Sequence, residues 1–282
     1  MPAIDRIALV ANTGSGSGGA EEVEARLREG SPRLRAFPPD RAAEAARSGC
    51  DRLVIAGGDG SIAPAASAAG RAGIPVAVIP VGTANDFAAA TELPDDPAAG
   101  VRLALEGERT RAIDLGWLDE RPFVNVVSAG LPPAAARRAA GLKGRLGPLA
   151  YMVGAVWAGL RARPVECAVA CDGSPVFGGS AWQVTVGCSG AFGAGSSVGG
   201  GPEDRRLRLV VVPAGSRAAL LLRAYGLRRG TVARQAGVIA HECRSVDLEL
   251  PAGTELNVDG EVVESGPAGL RIEPRAFQLV VG

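Results

Sequence analysis

The sequence has 282 residues, of which 47% are hydrophobic, enough for two cores of ordinary domain size. Its 30 basic and 30 acidic side chains cancel, so no overall field favours nucleic acid, and we expect no nucleic-acid partner. One histidine excludes a site built on several imidazoles. Five scattered cysteines and the lack of a basic-then-apolar leader after Met1 lead us to expect a cytoplasmic protein.

The first part of the chain alternates apolar runs with alanine-rich helical patterns. The runs at 6–11, 34–37, 52–57 and 75–80 are predicted strands, and 20–29, 40–48 and 61–72 are predicted helices. Strands that alternate with helices in this way predict a parallel sheet covered on both faces.

After about Asp114 the pattern changes to longer alternating segments, which predict a mostly antiparallel sheet. The pair Asp172-Gly173 is typical of a two-residue hairpin turn between two of these strands. Helices are predicted within this half at 131–140, 147–162 and 216–228.

A loop with three glycines and an aspartate follows one of the predicted strands. Ligands bind beyond the carboxyl ends of parallel strands. Gly57, Gly58 and Gly60 are expected to take positive φ angles and to let an anion approach the amides, and a helix that opens near Ser61 offers unpaired N–H groups. Asp59 among such amides indicates a cation or a transferable proton. A plain tight turn is the alternative.

A second turn of the same kind follows one strand-helix unit later, in the segment AVIPVGTANDFA. Gly82 and Thr83 form the turn, and Asn85 and Asp86 open the next helix. The alternative is that Thr83 or Asn85 only caps that helix. The first predicted strand also ends in a polar glycine loop, at 9–19, so three loops are expected to meet at one edge of the sheet.

Together these motifs resemble the soluble diacylglycerol kinase-like lipid kinases, relatives of sphingosine kinases and, more distantly, of NAD kinases and phosphofructokinases. The family motif G-G-D-G-T is present with Ser at its last position, and P-x-G-T-x-N-D-F-A is intact. The matching segments, which extend over nearly the whole chain, are 57–61, 80–88, 113–130, 142–151 and 257–261.

The resemblance implies an ATP-dependent kinase with its active site in a cleft between two domains. An α/β domain at 1–114 would bind the nucleotide, and a β-sandwich-like domain at 115–275 would hold a lipid alcohol such as diacylglycerol. The last strand, 276–282, would return to the first domain. The implied cofactors are ATP and Mg²⁺. The implied partners are a lipid acceptor and, transiently, a membrane surface, with peripheral membrane localisation and a homodimer left open.

Phosphoryl transfer to a hydroxyl requires in-line positioning, a cation on the phosphates and a carboxylate that accepts the hydroxyl proton. The segment NVDGEV supplies Asp259 and Glu261, which would point the same way in an extended chain, with room left by Gly260. A solvated hairpin with a D-G turn is the alternative.

By analogy with the family, Asp259 is the expected general base, and Asp59 is its rival. Glu261 is expected near the phosphates or Mg²⁺, and Asp59 and Asp86 near the metal through water. The expected nucleotide contacts are Asn12, Ser15, Gly57, Gly58, Asp59, Gly60, Ser61, Gly82, Thr83, Asn85, Asp86 and Glu261.

Several positions depart from the family pattern. Ala63 and Pro64 replace an Asn and a Glu of the family, and Ala89 replaces an Arg. We expect Pro64 to be tolerated in a first helical turn. Of a structural Mg²⁺ motif only Asp204 is carried over. Two alternatives therefore stay open: a kinase of a non-lipid hydroxylated metabolite, and a degenerate protein that binds nucleotide or lipid without activity.

Overall fold

The computed structural model describes residues 4–11, 19–82, 84–130, 163–191, 198–216 and 232–282. Three predicted site residues, Asn12, Ser15 and Thr83, lie outside these ranges. The helices predicted at 131–140 and 147–162 also lie outside them, as does the third predicted helix apart from its first residue.

The first half of the chain folds as the predicted parallel sheet with flanking helices. Its strands are β1 (Ile7–Ala11), β2 (Arg35–Phe37), β3 (Arg52–Gly57) and β4 (Val76–Pro80), in the spatial order β4-β3-β1-β2. Its helices are α1 (Gly19–Gly30), α2 (Ala42–Ala46), α3 (Asp59–Ala72), α4 (Asp86–Ala90) and α5 (Pro97–Glu106), with a 3-10 turn at Pro39–Arg41. Helix α5, which the sequence analysis did not predict, begins after Asp96, whose carboxylate accepts two amides of the first turn.

Both faces of this sheet are buried, as the continuous apolar strands require. On β1, Ile7 and Leu9 pack with residues of α1 and α5. The alternate residues Ala8 and Val10 pack with residues of α2 and α3 on the other face. The carboxyl ends of β3 and β4 are thereby fixed between two helical layers.

The second half is the predicted antiparallel sheet. Its strands are β5 (Arg109–Leu118), β6 (Arg121–Phe123), β7 (Val126–Gly130), β8 (Val165–Cys171), β9 (Ser174–Gly187), β10 (Leu207–Pro213), β11 (Ile239–Cys243), β12 (Ser245–Glu249), β13 (Thr254–Val258), β14 (Glu261–Ser265) and β15 (Ala268–Val281), with a 3-10 turn at Val232–Arg234. The hairpin turn at Asp172-Gly173 is confirmed between β8 and β9.

Strand β15 connects the two halves. Its first residues pair with β12, and Leu279 lies beside Val76 of β4 in parallel orientation. β5 runs antiparallel to it along most of its length, with a register shift between Glu273 and Phe277. Within the described residues the strands of both halves therefore belong to one sheet. The residue bounds of the two domains stay a prediction.

Candidate active site

The glycine loop connects β3 to α3. Gly58 has extended backbone angles, φ −93° and ψ 179°, and α3 begins at Asp59, two residues earlier than expected. Neither Gly57, Gly58 nor Gly60 has a positive φ angle, so that prediction was wrong. Their lack of a side chain must have another reason.

That reason is close approach. A Cβ atom on Gly82 would lie 2.6 Å from Cα of Gly58, so the two glycine turns meet backbone to backbone. A Cβ atom on Gly60 would lie 2.9 Å from a carboxylate oxygen of Glu261. The backbone contact leaves no room for a side chain at Gly82, whereas a Cβ at Gly60 would require the flexible Glu261 side chain to move. The loop nevertheless leads directly into a helix N-terminus, the feature that suits an anion.

Asn85 shapes the second turn. It has a left-handed backbone, φ 52°, which Asn tolerates better than most residues. Its Oδ1 accepts the Gly82 amide at 3.0 Å, and its Nδ2 donates to the Gly82 carbonyl at 3.2 Å. The side chain makes no cap hydrogen bond to α4, so Asn85 closes the turn instead of capping the helix.

The cap of α4 comes from Asp59. Its Oδ2 accepts the amide of Asp86 at 3.2 Å, and its Oδ1 accepts the amide of Phe87 at 2.9 Å. A carboxylate at a helix N-terminus satisfies unpaired N–H groups and interacts favourably with the helix dipole. Asp59 therefore ties the glycine loop to the neighbouring turn, a role that the sequence analysis missed.

Asp259 lies in the two-residue turn between β13 and β14, where Asp259 and Gly260 have φ angles of 47° and 94°. The expectation of an extended chain was wrong, because the D-G pair forms a hairpin turn. This turn differs from a solvated hairpin turn, because backbone amides bind its carboxylate. The Asp259 carboxylate accepts the amides of Val124 at 2.7 Å and of Asn125 and Val126 at 2.9 Å each.

Burial raises the pKa of Asp259 to about 7, although its three backbone hydrogen bonds lower it. The negative charge of Asp59 raises it further. The turn aspartate Asp172 offers a comparison, since it also has φ near 48° and accepts the amides of Arg244 and Ser245. Asp172 is exposed, and the hydrogen bond from Ser245 lowers its pKa. The two similar turns thus have opposite pKa shifts, because desolvation dominates at the half-buried Asp259 and backbone hydrogen bonds dominate at the exposed Asp172.

Glu261 lies at the start of β14. Its carboxylate lies over Gly60 of the glycine loop and forms an ion pair with Arg121 on β6. The structure therefore brings three predicted motifs together: the glycine loop, the turn before α4, and the hairpin that carries both acidic residues.

Buried polar residues behind Asp259 were not predicted as part of the site. Ser189 donates to Oδ1 of Asn125 at 2.8 Å, and both side chains are buried. Asp114, also buried, accepts the amides of Arg205 at 2.5 Å and Arg275 at 2.8 Å. The signal that could have identified these residues was a polar residue within an apolar pattern. A polar group at such a position is expected to be buried and to have a hydrogen-bond partner.

Two further expectations concern the metal at Asp204 and the position of Pro64 in its helix. Oδ2 of Asp204 accepts the amide of Gly201 at 2.8 Å, and within the described ranges no three His, Cys, Asp or Glu side chains form a group that could hold a metal ion. Pro64 lies inside α3, beyond its first turn, which corrects the expectation. It has no N–H for the carbonyl of Gly60.

Solved structures share this architecture. A diacylglycerol kinase from Bacillus anthracis has a TM-score of 0.78 at 20% identity and covers 99% of this chain and 97% of its own. An NAD kinase from Archaeoglobus fulgidus in complex with ATP has a TM-score of 0.52 at 14% identity, with 97% and 92% covered. The fold is therefore the one seen in both classes of kinase structure, an α/β domain followed by a β-sandwich domain.

The sequence comparisons define the family more narrowly. Residues 6–118 match the diacylglycerol kinase catalytic domain, and residues 125–281 match the YegS C-terminal NAD kinase beta sandwich-like domain. A probable YegS-like lipid kinase from Pseudomonas putida is 30% identical over 250 residues, which are 84% of this chain and 79% of that protein. A diacylglycerol kinase from Staphylococcus aureus is 27% identical over 223 residues, 77% and 70% of the two chains. The chain belongs to the YegS-like lipid kinase family, which confirms the resemblance.

Proposed function

We propose that this protein transfers the terminal phosphoryl group of ATP to a hydroxyl group of a lipid such as diacylglycerol. The family and the names of its relatives support a lipid kinase. The observation that carries the mechanism is the Asp259 carboxylate, which is half-buried, accepts three backbone amides, lies in the hairpin that meets the glycine loop through Glu261, and has its pKa raised to about 7.

Asp259 is suited to accept the proton of the acceptor hydroxyl. A carboxylate offers about four lone-pair positions, and three backbone amides occupy three of them. The remaining position can accept one further hydrogen bond, that of the attacking hydroxyl. A general base works best when its pKa is near the operating pH, which a value of about 7 provides.

The nucleotide phosphates would lie at the N-terminus of α3, where amide groups and the helix dipole favour anions. Asp59 would contribute mainly by holding the turn before α4 in place. This assignment makes Asp259 the base and leaves Asp59 as a positioning residue.

The donor set fits Mg²⁺ bound through the nucleotide. Mg²⁺ is usually held by one or two carboxylates together with substrate phosphates, so it needs no cage built from protein alone. Glu261, exposed and directly over Gly60, would hold the ion, with Asp59 and Asp86 acting through water. When bound, Mg²⁺ would neutralise charge on the phosphates and on the phosphoryl group in transfer.

The test is transfer of radiolabelled phosphate from ATP with Mg²⁺ to diacylglycerol in mixed micelles, beside a panel of other lipid and small-molecule alcohols. We expect labelled lipid from the wild type, and a loss of about 100-fold or more in kcat for Asp259→Asn with little change in ATP affinity. Asp172→Asn is the matched control, since it alters a similar turn away from the glycine loop, and it should keep full activity.

The remaining outcomes separate the alternatives. Turnover retained by Asp259→Asn and lost by Asp59→Asn would move the base to Asp59. Label on a small-molecule alcohol alone would identify a metabolite kinase. ATP binding without transfer to any acceptor would favour the degenerate protein.

Location and assembly stay predictions. In the ranges that the structure describes, no helix is long and apolar enough to cross a bilayer. A cytoplasmic location and transient contact with a membrane surface were expected from the sequence and from the nature of a lipid acceptor, and a homodimer was left open. Each requires its own measurement.

A further inference from the structure

An ion pair lies at the edge of the glycine loop. Arg121 begins β6, and its guanidinium donates to the carboxylate of Glu261. Both side chains are open to solvent, at 42% and 58% exposure. The Glu261 carboxylate in turn lies over Gly60. A Cβ added to Gly60 would lie 2.9 Å from Oε1 of Glu261. One carboxylate group therefore separates the Arg121 guanidinium from the loop.

The negative charges around the glycine loop require positive charge nearby, which Arg121 can supply. Asp59, Asp259 and Glu261 bring carboxylates to a place where a nucleoside triphosphate would add several further negative charges. The loop itself and α4 contain no basic residue. Backbone amides and a bound cation supply part of the compensation, and a guanidinium at the edge of the loop supplies more.

We propose that Arg121 binds the terminal phosphates of the nucleoside triphosphate, and that Glu261 holds it beside the loop until the nucleotide arrives. This inference rests on the proposed function, because it assumes that the phosphates occupy the glycine loop. An exposed ion pair contributes little stability, so its exchange for another partner costs little. The guanidinium fork suits phosphate oxygens bidentately. When Arg121 leaves, the Glu261 carboxylate is released for a divalent cation.

The alternative is that the pair is only a brace between β6 and β14. A brace would support the shape of the site for any nucleotide, whereas a contact with the terminal phosphates matters only for nucleotides that possess them. The two roles therefore differ in how a substitution at Arg121 affects ATP compared with AMP.

The experiment is calorimetric titration of the full chain with ATP and with AMP, each in the presence of Mg²⁺. We expect Arg121→Ala to weaken ATP binding by about 10- to 100-fold, the usual range for a hydrogen bond to a charged group, and to leave AMP binding within about 2-fold. Arg121→Lys should fall between the wild type and Arg121→Ala, because an ammonium keeps the charge without the fork.

The matched control is Arg6→Ala. Arg6 forms an exposed ion pair with Asp51 before β1 and β3, at the opposite end of the strands from the glycine loop. We expect it to bind both nucleotides like the wild type. The melting temperature of each variant shows that it is folded.

Two results would overturn the assignment while the proposed function stands. One is wild-type-like ATP binding by Arg121→Ala, and the other is an equal loss of ATP and AMP affinity, which would identify a brace. A wild type that binds no ATP would overturn the proposed function and this inference together, and that outcome is visible before any variant is made.

Discussion

The raised pKa of Asp259 predicts a specific dependence of stability on pH. Because the folded carboxyl binds its proton more tightly than the unfolded one, its stabilising contribution is complete below the unfolded pKa of 3.8 and is lost as the pH rises through about 7. With these two pKa values, proton linkage gives a loss of about 3 kcal/mol between about pH 5 and about pH 8.

The measurement is urea unfolding at several pH values in this interval, for the wild type and Asp259→Asn. The variant lacks the titrating group, so the difference in unfolding free energy between the two proteins isolates it. The asparagine also leaves one of the three backbone amides without an acceptor, which costs about 1–3 kcal/mol at every pH and does not alter the slope.

Asp172→Asn serves as the control. The pKa of Asp172 is lowered, so its contribution to stability is present above the unfolded pKa and should be constant across this interval. If the difference between wild type and Asp259→Asn is also constant from pH 5 to pH 8, Asp259 does not have a raised pKa, and its assignment as general base loses its physical basis.

Three further predictions concern packing and exposure. Gly82→Ala should lower the melting temperature, because its Cβ would lie 2.6 Å from the backbone of the neighbouring glycine loop, and such overpacking costs about 1–3 kcal/mol. The control is Gly178→Ala, where the added Cβ has open space. Equal melting temperatures of the two variants in calorimetry would contradict this prediction. Asp59→Ala should lower the unfolding free energy by about 1–2 kcal/mol through loss of the α4 cap, and an unchanged urea midpoint would refute that role. In a thiol titration the half-buried Cys50 should react before the four buried cysteines, and a single rate for all five would be the contrary result.

The sequence predicted the elements well wherever local pattern determines them. Apolar runs of β1, β3 and β4 and the alternation after Asp114 identified the parallel and the antiparallel parts of the sheet. The Asp172-Gly173 turn was predicted because its backbone preference is intrinsic to the two residues. The order of the family motifs identified the loops that meet at the site.

The sequence did not predict hydrogen bonds between a side chain and residues that are distant in the chain. The three amides that donate to Asp259 lie more than 130 residues earlier in the chain, so no local pattern shows that the carboxylate of this D-G turn is bound by them. The partners of Asp59 are likewise distant in the chain, in the first turn of α4. The glycines at 57, 58 and 60 were assigned positive φ angles, whereas none of them has one. Gly58 lies against Gly82, and Gly60 lies against Glu261.

Strand β15 has a consequence for the order in which the protein is made. It is the last strand of the chain, yet it lies beside β4 of the first half. While the ribosome is still adding the second half, β4 has β3 on one side only and presents an open sheet edge, which invites pairing with other chains. The first half therefore lacks the partner of its β4 edge until β15 has been made. A change in β15 would act on the half of the protein that was made first.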